Sequence, residues 1–159
     1  MTAKDVELAI AKHFNYRMNM IIPNVSWGIP GINHECDLLI LSKAGYLREV
    51  EIKVSRSDIK ADLDKRHHHK SKYIRELYFA VPEELADCEY LPKDAGLITV
   101  GKWSRCTVVR RTITNKDALK LPDSQVQHLL HLGCMRIWTL KSRLWEANQT
   151  INKYRKEKK

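Results

Sequence analysis

The stretch Glu49-Val50-Glu51-Ile52-Lys53-Val54 alternates charged and branched apolar residues without a break. An extended strand puts successive side chains on opposite faces, so Val50, Ile52 and Val54 share one face and Glu49, Glu51 and Lys53 the other. A helix would scatter the same charges around its axis. Just upstream, Cys36-Asp37-Leu38-Leu39-Ile40-Leu41 is a near-continuous apolar run, as in a strand buried on both faces. Ser42-Lys43-Ala44-Gly45 is short enough to join the two as a hairpin. Asp37, Glu51 and Lys53 could then share one sheet face. Two carboxylates there can hold a divalent metal, and the ammonium beside them can touch a phosphate or the attacking water. The same alternation also fits a charged strand face open to water. An acid-x-lysine triplet alone carries little, since Glu157-Lys158-Lys159 repeats it in the tail.

The rest of the chain supplies context. Val6, Ile10 and Phe14 recur at fours, which predicts an amphipathic helix over residues 3–14 with Thr2 as N-cap. Residues 18–27 read as an irregular strand, and Gly28-Ile29-Pro30-Gly31 as a turn. After Lys53, Ser55-Arg56-Ser57-Asp58 has the form of a capping box, with Ser57 a second N-cap candidate, opening a helix to about Ser71. Leu77-Tyr78-Phe79-Ala80-Val81 reads as a buried strand ended by Pro82, and residues 97–100 and 107–109 as a hairpin. From Pro122 onward, Val126, Leu130, Gly133, Ile137, Leu140, Leu144, Ala147 and Ile151 alternate by four and three. That is the seam of a packed helix or of a coiled coil. The expectation is one domain over residues 1–122 and a basic helical extension over 123–159 that packs or dimerises.

The 159-residue chain carries a net charge of +9. Length alone allows a core without disulfide or metal staples, and the charge points to a polyanion, nucleic acid first. Residues 60–75 hold six Lys/Arg against two Asp, and residues 136–159 hold eight against two Glu. The four cysteines are widely spaced, no signal-like apolar segment opens the chain, and no run approaches a membrane span. The expectation is a cytoplasmic protein with free thiols, bacterial or phage-encoded. No Walker loop, Rossmann glycine motif or Ser-His-Asp arrangement appears, so no nucleotide cofactor is expected.

The order helix, three strands, helix, strand, with Asp37 and Glu51-x-Lys53 on the second and third strands, resembles the PD-(D/E)XK nuclease superfamily over roughly residues 3–81. The stretch from Glu49 to Asp58, the Lys/His cluster and Leu77-Tyr78-Phe79-Ala80-Val81-Pro82 look most like its MmcB-like DNA repair branch. The family's proline before the first acid is Cys36 here. The resemblance implies an α/β, restriction-endonuclease-like fold, a mixed central sheet flanked by helices, with the long C-terminal helix outside it. It implies a Mg2+-dependent DNA nuclease, an endonuclease in first reading, with Mn2+ able to substitute, leaving 5′-phosphate and 3′-hydroxyl ends. Asp37 and Glu51 would bind the metal with the Ile52 carbonyl, Lys53 would orient water or stabilise charge, and Glu7 on the first helix is a further candidate ligand, with Asp5 competing for that role. Glu35 and Glu49 are expected at the periphery. Ser55, by resemblance near the scissile phosphate, is equally a helix cap.

His67-His68-His69 does not have the spacing of paired helical metal ligands. With Arg56, Lys60, Lys65, Arg66, His67, Lys70 and Lys72 the segment reads as a phosphate-contacting surface, or else as a solvated helix end. Trp138 and Trp145 fit packing, or stacking on bases. The partners expected are DNA and a second copy through the C-terminal helix. The rival readings are a non-catalytic DNA-binding module of the same fold and a structural protein assembling through that helix.

Overall fold

The computed structural model describes residues 1–26, 29, 32, 34–63 and 71–158. Two compact units divide the chain, Met1–Pro122 and Asp123–Lys159. The first is a six-stranded mixed sheet in the order β1-β2-β3-β4-β5-β6. Its strands are Met20–Val25 (β1), Cys36–Leu41 (β2), Leu47–Ile52 (β3), Ile74–Pro82 (β4), Gly96–Val100 (β5) and Cys106–Arg110 (β6). β1, β2 and β3 form an antiparallel meander, β3, β4 and β5 run parallel, and β6 turns back antiparallel. The mixed sheet flanked by helices matches the fold expected from the sequence.

Helix α1, Ala3–His13, starts at a complete capping box: Thr2 and Asp5 exchange side-chain-to-backbone hydrogen bonds. Its apolar stripe, Val6, Ala9 and Ile10, packs with Leu38, Ile40, Val50, Ile52, Ala80, Ile98 and Val100 on one face of the sheet. Helix α2, Arg56–Leu63, contributes Ile59 to a second core with Phe79, Val81, Leu85 and Leu97 on the other face. The strand alternation read from the sequence thus sorts the two cores: Val50 and Ile52 face α1, and Glu49 and Glu51 face the side of α2.

Boundaries shift where local chemistry overrides pattern. The helix expected to reach about Ser71 is described as far as Leu63, and residues 64–70 lie outside the described residues. β4 begins at Ile74, three residues before the apolar run, because Arg48 of β3 pairs with Glu76 and draws the polar end of β4 into the ladder. Gly96 lies opposite Tyr78, and a Cβ there would stand 2.3 Å from the tyrosine ring. Only glycine lets that ring lie across β5. The second unit is one helix, α3, Asp123–Glu157, of 35 residues, about 52 Å long.

Candidate functional site

The hairpin β2–β3 builds the site. Leu38 pairs with Val50 and Leu39 with Glu49, so the next pair along sets Asp37 opposite Glu51. Across the parallel ladder Glu51 pairs with Phe79, and Phe79 with Leu97. Two acids and two core residues therefore form one row across the α2 side of the sheet. Lys53 follows on the same face as β3 ends, with its N–H donating to the Ala80 carbonyl at 3.0 Å.

These charges do not face water. Glu49 and Glu51 are at most 1% exposed and Lys53 is 4% exposed, so the open charged strand is excluded. Lys53 Nζ lies 2.9 Å from Glu51 Oε2 and 3.0 Å from Asp62 Oδ1 on α2. The Ile52 N–H donates to Asp37 Oδ2 at 2.7 Å, which fixes the Asp37 carboxylate beside the peptide that follows Glu51. Burial pushes the Glu51 carboxyl up to about 7; Lys53 opposes the shift, and Asp37 and Glu49 add to it. Burial works against the Lys53 charge, but Glu51 and Asp62 outweigh it and hold the ammonium well above its ordinary range. The two carboxylates thus favour the charged form of Lys53.

Glu49, expected at the periphery of that row, lies in a buried contact with His34 beside it. It is fully buried, and its Oε1 lies 2.5 Å from His34 Nε2. Cys36 Sγ is 3.6 Å from the same nitrogen. Burial, then the Glu49 and Glu51 carboxylates, hold the Cys36 thiol far above its usual range. Sequence reasoning missed His34 and Asp62. His34 precedes β2, where no alternation marks it, and the usable signal was a His-x-Cys pair facing an acid two residues before Glu51. Asp62 was readable as an acid four residues after Asp58, hence on the same side of a helix.

Glu7 is on α1, with its carboxylate 2.6 Å from Lys4 Nζ. Glu35 is exposed and precedes β2. The Ser55 hydroxyl accepts the Asp58 N–H at 3.1 Å and so caps α2, where Ser57 is already inside the helix. Arg56 pairs with Asp87 at 3.3 Å, and Lys60 and Lys72 lie over the Tyr90 and Tyr73 rings. Lys65, Arg66, His67 and Lys70 lie outside the described residues, as do His68 and His69.

The donor chemistry sorts into two sets. Asp37, Glu51 and the Ile52 carbonyl offer oxygen only, which suits a hard cation such as Mg2+. His34, Cys36 and Glu49 offer nitrogen, sulfur and oxygen atoms within 4.8 Å of one another. Among the described residues no helix is long and apolar enough to cross a membrane.

The family described as DNA repair protein MmcB-like matches residues 4–138 of the chain. No curated protein matches it. A solved protein of unknown function from Silicibacter pomeroyi is similar in structure, with a TM-score of 0.65 and 18% identity, covering 93% of this chain and 94% of that one. That likeness concerns the fold.

Proposed function

The chain belongs to the MmcB-like family of DNA repair proteins, and from that premise we propose that it is a divalent-metal-dependent DNA nuclease, an endonuclease in first reading. The observation that carries the reading is the row in which Asp37 and Glu51 stand abreast on adjacent strands with Lys53 beside Glu51. Asp37, Glu51 and the Ile52 carbonyl would hold Mg2+, for which Mn2+ can substitute. The fit rests on their all-oxygen donors and on the burial, joined by the Asp37 and Glu49 charges, that raises the proton affinity of Glu51. Such a cation supplies, when bound, a water more acidic than bulk water and an offset for charge on the phosphorus.

The chain's own groups do the remainder. Asp37 is held in place by the Ile52 N–H, and Lys53 keeps its proton and presents a fixed positive charge beside the acids. The basic residues Arg56, Lys60 and Lys72 of the same unit would take the phosphate backbone. Glu7, tied to Lys4 on the helix that covers the opposite face of the sheet, stands outside the proposed ligand set. DNA in the cytoplasm of a bacterium or a phage host is the proposed substrate, and pairing of two copies through residues 123–159 is part of the same proposal.

One observation favours a second reading, a DNA-binding module without catalysis: Lys53 is already engaged by two carboxylates. The two are separated by offering supercoiled, linear, single-stranded and branched DNA with Mg2+ or Mn2+. The nuclease cuts at least one of these and stops with a chelator. A protein that binds all of them in a salt-sensitive way and cuts none is the module.

A further inference from the structure

We propose that His34, Cys36 and Glu49 form a second metal site, distinct from the Asp37–Glu51 pair, for a borderline-soft divalent ion, zinc first. The key observation is that two donors approach one and the same nitrogen of His34. Here Cys36 Sγ, at 3.6 Å, and Glu49 Oε1, at 2.5 Å, both approach Nε2. Three donors converge on one point, which is the arrangement of ligands around an ion.

The distances fit with one adjustment. Ordinary zinc bond lengths to sulfur, nitrogen and oxygen give tetrahedral edges of about 3.6 Å between S and N and about 3.4 Å between N and O. The Cys36–His34 edge already has that length, and the carboxylate has to withdraw by about 1 Å from its hydrogen bond to the imidazole. A glutamate side chain has the torsions to do this without moving β3. All three residues are buried, His34 at 8% exposed and the other two at 0%. Thiolate and imidazole donors select zinc, cobalt or iron over Mg2+ and Ca2+. Thiolate and carboxylate together would match the charge of a divalent ion, with imidazole neutral.

The ligands come from three places: the segment before β2, the first residue of β2, and β3. An ion there would tie the segment entering Asp37 to the strand carrying Glu51. This would brace the neighbouring acids from outside, and three protein ligands leave a fourth position for water or a further donor.

Cobalt titrated into the metal-free, full-length protein tests the site. The expected result is saturation at one equivalent, with an intense near-ultraviolet thiolate-to-cobalt band and the visible bands of four-coordinate cobalt. Zinc should displace the cobalt, and a large excess of Mg2+ should not. Cys36→Ser should lose the near-ultraviolet band, and His34→Gln should weaken binding roughly tenfold or more. Asp37→Asn should keep the band while losing DNA cutting, which separates this site from the proposed nuclease centre. A wild-type protein with no thiolate band at saturating cobalt overturns the proposal whether or not the variants fold. A band that survives Cys36→Ser, or vanishes in Asp37→Asn, overturns it as well.

Discussion

Lys53 is held by Glu51 and Asp62, all three at most 8% exposed. Removing one partner of such a set leaves buried charge uncompensated, at a cost of about 3–5 kcal/mol. Lys53→Met is therefore expected to lower stability by roughly that amount in urea unfolding, and a loss below about 1 kcal/mol would mean that water reaches the acids. At this scale Asp37, Glu51 and Lys53 were legible because a strand converts spacing directly into facing. The depth of Glu49 was not. Alternation says which face a residue is on, but not what covers that face, and here His34 covers it from outside any strand. The capping role of Ser55 was legible for the opposite reason, since a cap is a purely local bond.

Among the elements, β5 and its hairpin carry the sharpest constraints. A Cβ on Gly96 would meet two atoms of the Tyr78 ring, at 2.3 and 2.4 Å. Gly96→Ala should cost about 1–3 kcal/mol, the usual range for overpacking, in the same unfolding assay. An unchanged midpoint would show that the ring swings clear. At the β5–β6 turn Trp103 and Ser104 both have positive φ, 60° and 58°, the signature of a type I′ turn, which favours Asn-Gly. The fully exposed Trp103 contributes no packing. Trp103→Asn with Ser104→Gly should raise stability by about 1 kcal/mol, and a loss would imply a role for the indole that outweighs backbone strain. The hairpin was readable from its strands, but the left-handed pair was not, because neither residue type announces it.

For the whole molecule, the net charge of +9 makes binding to DNA electrostatic first. Affinity should fall by orders of magnitude between about 50 and 200 mM salt if several phosphates are contacted. A salt-independent affinity would argue against backbone contacts. Sizing with and without residues 123–159 tests the proposed pairing of copies, and a monomer in both cases removes it. The β2–β3 and β5–β6 hairpins followed from local patterns, whereas the 4–3 spacing of α3 fits packing and pairing alike. Its side chains Ile137, Leu140 and Leu144 are exposed, and periodicity does not name their partner.

The proposed metal chemistry turns on Asp37, and Asp37→Asn tests it most directly. Asparagine keeps the shape and can still accept the Ile52 N–H through its amide oxygen, so the hairpin should stand. A lost metal ligand removes about 3 kcal/mol of stabilisation, on the order of a hundredfold in rate. Single-turnover DNA cleavage measured against Mg2+ concentration should therefore fall by about that factor, with DNA binding retained. Wild-type rates in Asp37→Asn, at the same metal dependence, would place the chemistry elsewhere in the molecule.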